Sequence, residues 1–270
     1  MLRTLDLRGQ DLTPAELLAA VPRATAARSE ALATAVRLVN DVAKRGETAL
    51  REQAEQFDGV TGHDIRVPAD HLAEALDSLD PVVRDALERA IARVRAASAV
   101  QVPPPTTTTL APGALVHQRW QPVRRVGVYV PGGKAVYPSS VVMNVVPAQA
   151  AGVEQIALAS PPQRTEGGRV HPVILAAAKL LGVTEVYAMG GAGAIGAFAY
   201  GVASLGLDPV DVVTGPGNNF VAAAKRAVAG RVGTDSEAGA TEILIVADDT
   251  ADPRLVAADL ISQAEHDEQA

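Results

Sequence analysis

The chain reads as an α/β protein: a Rossmann-like parallel sheet with helices on both faces, preceded by a mainly helical N-terminal region. Three observations point there. From Val126 onward, short β-rich runs alternate with helical stretches of small and apolar residues, at the interval of about 30 residues that βαβ units require. Gly152, Gly182 and Gly230 stand just past three of those helical stretches, where a left-handed residue closes a helix. Before Pro103 the apolar residues recur at helical spacing, with glycine and proline marking the stops. The boundaries that follow are a mainly helical region at 1–110, a Rossmann-like α/β domain at 111–236, and a second α/β segment at 237–270 that is only the start of a domain.

In chain order, Thr13-Pro14-Ala15-Glu16 has the form of a capping box that opens a first helix. Helical patterns then run over 25–44, stopped by Gly46, and over 47–57, stopped by Asp58-Gly59. Two more cover 69–78 and 81–98, with Asp80-Pro81 at the break between them. Val102-Pro-Pro-Pro105 and the four threonines after it are a composition shift that favours extended chain, and 114–120 alternates as a strand does. The sheet strands are expected at 126–130, 155–159, 185–189, 211–214 and 243–247. Helices are expected between them near 139–151, 171–181, 193–204 and 219–229. A last helix begins at Asp252-Pro253 and carries the stripe Val256, Ala257, Leu260, Ile261 and Ala264, which is expected to be buried.

Composition narrows the function classes. A 270-residue chain with 48% hydrophobic and 20% charged residues is globular material. Its net charge of −7 comes without any basic block, which argues against a nucleic-acid partner. Cysteine is absent, so disulfides, thiolate nucleophiles and Cys-based metal sites are removed together. The charged N-terminus lacks the apolar core of a signal peptide. The most apolar region, 141–159, is interrupted by Asn144, Pro147, Gln149 and Glu154 and falls short of a membrane span. A soluble, cytoplasmic protein is expected.

In open parallel sheets, ligands bind outside the carboxyl ends of the strands. Three glycine-rich stretches fall there: Tyr129-Val-Pro-Gly-Gly133, Gly190-Gly-Ala-Gly193 and Thr214-Gly-Pro-Gly-Asn218. Gly191-Ala-Gly193-Ala-Ile-Gly196 satisfies the dinucleotide fingerprint. The next strand, however, ends Val-Val-Thr214-Gly215 without the acid that would hold a ribose, so close helix packing is the better account of these glycines. Asn218 can cap a helix or bond a ligand, and Thr241, between Glu237 and Glu242 with Ala and Gly, can face the same cleft. On the last helix, Gln263 and His266 are three apart. Their Cβ atoms would lie roughly 5–6 Å from each other, so one small ion could touch both.

Taken together, these stretches resemble histidinol dehydrogenases. The matching pieces are Val42-Ala-Lys-Arg-Gly-Glu-Thr-Ala-Leu50 with Phe57-Asp58, Val126-Gly-Val-Tyr-Val-Pro-Gly-Gly133, and Gly190 to Gly201. Gly215-Pro-Gly-Asn218 and Asp259-Leu-Ile-Ser-Gln-Ala-Glu-His266 complete the set. The resemblance implies oxidation of L-histidinol to L-histidine through the aldehyde, with NAD and zinc as cofactors, in a homodimer whose site is shared between subunits. It implies that Gln263 and His266 ligate zinc and contact substrate, that Thr241 contacts substrate, and that Tyr129 and Asn218 contact NAD. Gly193 also falls on the cofactor side, but the family frequently has Gln there, so an amide contact is missing. The family's adjacent Glu-His acid–base pair, its Asp and its further zinc-ligating His are expected beyond Ala270, so the resemblance assigns no catalytic residue to these 270 residues. The chain is therefore expected to be the N-terminal part of such an enzyme, inactive alone. The competing expectation is a non-catalytic nucleotide-binding or subunit-interaction protein derived from the family.

Overall fold

The computed structural model describes residues 5–20, 25–132, 136–237 and 243–265. The N-terminal region holds α1 (Pro14–Ala20), α2 (Thr25–Arg45), α3 (Glu47–Gln53), α4 (Ala69–Asp77) and α5 (Pro81–Ala99). The capping box forms as the sequence indicates: Thr13 Oγ1 accepts from the Glu16 amide at 3.4 Å and Glu16 returns a carboxylate to the Thr13 amide at 2.9 Å. Asp80 caps α5 by accepting from the amides of Val82 and Val83. The segment after α3 differs from expectation. Its last turn, Ala54–Asp58, is a π-helical turn closed by Gly59 in the left-handed region.

Next comes a two-stranded antiparallel ribbon, β1 (Thr106–Ala111) and β2 (Ala114–Gln118), whose residues are all exposed. The α/β portion follows as β3 (Arg125–Tyr129), α6 (Pro138–Ala150), β4 (Gln155–Ser160), α7 (Pro172–Leu180) and β5 (Glu185–Ala188). It continues with α8 (Gly191–Tyr200), β6 (Val212–Thr214), α9 (Asn219–Val228) and β7 (Gly233–Thr234), and α10 (Pro253–Ala264) stands last. The five sheet strands are parallel and ordered β5-β4-β3-β6-β7.

Side chains alternate along β3, so its two faces feed two cores. Val126, Val128 and Val130 pack with Leu158 and Val186 beneath α6 and α7. Tyr129 packs with Ala157, Ala159 and Val213 beneath α8 and α9. Neither core stops at these four helices. Helix α2 lies over α8 and α9, while α4 packs on α7 and α5 on α6. Between the two faces the chain runs past the outer edge of β5. There the Val67 amide donates to the Val186 carbonyl at 2.9 Å and the Ala188 amide to Ile65 at 2.6 Å. The helical region thus adds a further layer on each side and covers one open sheet edge.

Two expectations fail at the far end of the chain. Residues 243–247 form no strand, and Leu244 and Val246 are 86% and 88% exposed. The sheet instead ends in the two-residue β7, too short to leave any alternating signal in the sequence. Helix α10 forms where expected, but it buries no residue: Leu260 and Ile261 are exposed. No helix among the described residues is long and apolar enough to cross a membrane.

The core is close-packed where a glycine faces an aromatic ring. A Cβ on Gly127, in the middle of β3, would sit 2.6 Å from the Phe198 ring, which is wholly buried on α8. Gly127→Ala is expected to cost about 1–3 kcal/mol by overpacking. Urea unfolding read by circular dichroism checks this, and an unchanged midpoint would show that the ring has room to move.

Candidate functional site

Strand order reverses at β3. The chain leaves β3 for β4 on one side, and later returns to its other side with β6. The loops after β3 and β6 therefore diverge and leave a crevice at the carboxyl edge, the usual ligand position in this architecture. Its floor is fixed by a backbone contact. Gly215 has φ of 115°, and a Cβ there would lie 1.9 Å from the carbonyl oxygen of Tyr129. Only glycine allows the two loops to meet this closely.

Tyr129 points into the α8 side, 4% exposed, and its hydroxyl accepts from the Gly191 amide at 3.2 Å. Burial pushes its pKa up to about 12, with the negative charge of Asp58 adding to the shift, so the phenol stays neutral. Asn218 caps α9: its Oδ1 accepts from the amides of Phe220 at 3.0 Å and Val221 at 3.1 Å. The capping oxygen is thereby committed, and the side-chain NH2 is what Asn218 can offer a ligand. Above the β3 end, the Gly132 carbonyl accepts from Gln163 Nε2 at 2.5 Å.

Two hydroxyls near this edge have no partner among the described residues. Ser160 Oγ ends β4 and Thr214 Oγ1 ends β6, both buried, on the two strands that flank β3. By register with β3, both side chains lie on the α6 face of the sheet. Buried hydroxyls are nearly always bonded, so these two atoms mark a place for a polar ligand or water.

Gly193 lies close by but faces the other way. A Cβ there would fall 2.4 Å from Gln53 Oε1, and one on Gly196 would fall 3.2 Å from the Val39 backbone. The glycines of the fingerprint thus seat α8 against α3 and α2, which is the close-packing account the sequence favours. The space a longer side chain at 193 would take is filled by the buried Gln53.

A family model described as histidinol dehydrogenase matches residues 21–270. A histidinol dehydrogenase of Leifsonia xyli subsp. xyli is 64% identical over 269 residues, covering 100% of this chain and 62% of that protein. One from Mycobacterium tuberculosis is 57% identical over 273 residues, again with 100% and 62% covered. The crystal structure of histidinol dehydrogenase from Elizabethkingia anophelis superposes with a TM-score of 0.78 at 35% identity, over 86% of this chain and 53% of that one. The chain belongs to the histidinol dehydrogenase family. It spans about six tenths of the length of these curated relatives.

The other site residues assigned by resemblance to histidinol dehydrogenases are not gathered at the crevice by the described structure. Thr241 and His266 lie outside the described residues, and so does Ala270, the position after which the acid–base pair is expected. Gln263 is half-buried on the last turn of α10. Among the described residues no three His, Cys, Asp or Glu side chains converge as a metal site. Three of the remaining histidines have side-chain partners. His171 caps α7 with its ring accepting from the Val173 amide, His117 pairs with Thr107 across the ribbon, and His63 bonds the Ala188 carbonyl.

Sequence reading did not single out Asp58, Lys225 or Asp235 for a role at the site. Asp58 closes the π-helical turn, and no hydrogen-bond donor among the described residues reaches its carboxylate. Burial pushes its pKa up to about 6. A folded-state pKa above the unfolded value gives stability that is complete below about pH 4 and is lost as pH rises through 6. Asp58→Asn is therefore expected to stabilise the chain at pH 8 by up to about 2 kcal/mol after allowance for partial exposure, and by about half as much at pH 5. Urea midpoints at the two pH values decide it. An equal shift at both would show that the carboxyl is not held in its neutral form.

Proposed function

We propose that the chain carries the cofactor-binding part of an enzyme that oxidises L-histidinol to L-histidine via the aldehyde, using NAD and zinc. The observation that carries the reading is the pair of unpartnered buried hydroxyls, Ser160 Oγ and Thr214 Oγ1, at the carboxyl ends of the two strands that flank β3. A polar ligand lying across that edge would meet both hydroxyls, and the positive end of the α9 dipole at the same carboxyl edge favours a phosphate group. Family membership and the homologues' names supply the substrate class.

In this reading Tyr129 walls the crevice, Asn218 donates its side-chain NH2 to the dinucleotide, and the backbone at Gly193 borders the same pocket. Bound there, NAD would supply a hydride acceptor and zinc would supply Lewis acidity towards an alcohol oxygen. Gln263 and His266 have the donor chemistry to hold such an ion, an amide oxygen and an imidazole nitrogen, where cysteine is lacking. Thr241 would orient the substrate through its hydroxyl. Two ligands leave a zinc sphere half filled, so these 270 residues by themselves are expected to bind the ion weakly and to yield no NADH from L-histidinol.

Asn218→Asp separates capping from ligand contact. The carboxylate keeps the capping oxygen but loses the NH2 donor and adds a negative charge beside the phosphate position. The expected result is an NAD dissociation constant about tenfold higher by calorimetry, with a melting temperature near that of the parent chain. Parent chain that takes up no NAD would sink the cofactor reading. Equal affinity in the variant would remove Asn218 from it.

A further inference from the structure

Lys225 is among the most deeply buried side chains of the molecule, at 1% exposure, although it sits in the middle of a helix that looks amphipathic in sequence. Buried lysines are rare unless their charge is paired and their three donors are used. Here each donor has a destination. Nζ donates to the Gly215 carbonyl, to Asp235 Oδ1 at 2.6 Å, and to the Ser236 carbonyl at 3.3 Å. The second oxygen of Asp235 accepts from the Gly215 amide at 2.9 Å, and Oδ1 also accepts from the Ser236 amide at 2.7 Å. Gly215 is thus gripped at both its N–H and its C=O by one ion pair, on the spot where it touches the Tyr129 carbonyl.

An ion pair placed only for stability has no reason to choose this target, since a buried pair often stabilises no more than apolar packing of the same size. This one holds the backbone at the floor of the crevice and, through Asp235 and Ser236, the start of the segment that leads to Thr241. We infer that Lys225, with Asp235, is a positioning pair that fixes the loop from Thr214 to Asn218 in its ligand-binding form and ties it to the segment beginning at Ser236. Neither residue touches the ligand in this account. The inference rests on the cofactor reading for its link to NAD, but the clamp on the loop stands apart from it.

The test uses the 270-residue chain with Lys225→Met, which keeps the stem and removes the charge, Lys225→Arg, and Asp235→Asn as a milder break should the methionine variant fail to fold. Amide hydrogen exchange and NAD calorimetry are read on each. The expected outcome is exchange at Gly215 and Ser236 accelerated at least tenfold in Lys225→Met or Asp235→Asn, while amides in α2 and β4 keep their protection. NAD affinity falls about tenfold in the same variants, and Lys225→Arg recovers part of both effects. A merely structural pair would instead loosen the whole domain in step, with NAD affinity unchanged in the folded fraction; that result overturns the proposal. If the parent chain binds no NAD, the cofactor reading fails. The clamp is then judged on exchange alone, unchanged protection at Gly215 and Ser236 overturning it.

Discussion

An all-parallel sheet has two apolar faces, and both must be covered before it can exist. In this chain the covering is shared between the crossover helices and the N-terminal helices, which lie outside them on both faces. The constraint explains features that otherwise look unrelated. Gly193 and Gly196 are small because α8 is pressed between the sheet and α2 and α3. The chain passes along the β5 edge because it must move from one face to the other, and in passing it caps that edge with backbone hydrogen bonds. Gln53 and Asp58 come to the neighbourhood of Tyr129 and α8 as a consequence of the same route.

The crevice follows from topology plus one close contact. Divergence of the loops after β3 and β6 is a property of the strand order, but its depth is set by the approach of Gly215 to Tyr129. Backbone atoms that close cannot be held by side-chain packing, because no side chain fits between them. They need directional bonds from behind. The Lys225–Asp235 pair supplies these, so a buried charge, costly to desolvate, is retained where the geometry of a loop matters.

The regular elements were legible because their signals are local. Helix ends at Gly46, Asp80-Pro81 and Gly182 and the alternation from Val126 onward all report on residues adjacent in sequence. The role of Lys225 was not legible. A lone lysine on a helix reads as solvated surface, and its acceptors at Gly215 and Asp235 lie ten residues away on either side. Asp58 falls in a stretch that matches the family, yet nothing in Phe57-Asp58-Gly59 announces a carboxyl held short of donors. The apolar run at 243–247 misled for the opposite reason: such a run shows that a segment suits a sheet, not that a neighbouring strand is there to receive it.

The same distinction separates the two halves of the candidate site. Tyr129 is buried in the core, and Asn218 caps α9, whose Val221, Ala224 and Val228 are buried. Gln263 stands on a helix whose Leu255, Leu260 and Ile261 are exposed. An amphipathic helix of that length gains its stability from burying such a stripe. Without that burial, packing does not fix where the Gln263 side of α10 points. The placement of Gln263 therefore depends on covering the α10 stripe, in the way that the loop at Gly215 depends on the ion pair behind it.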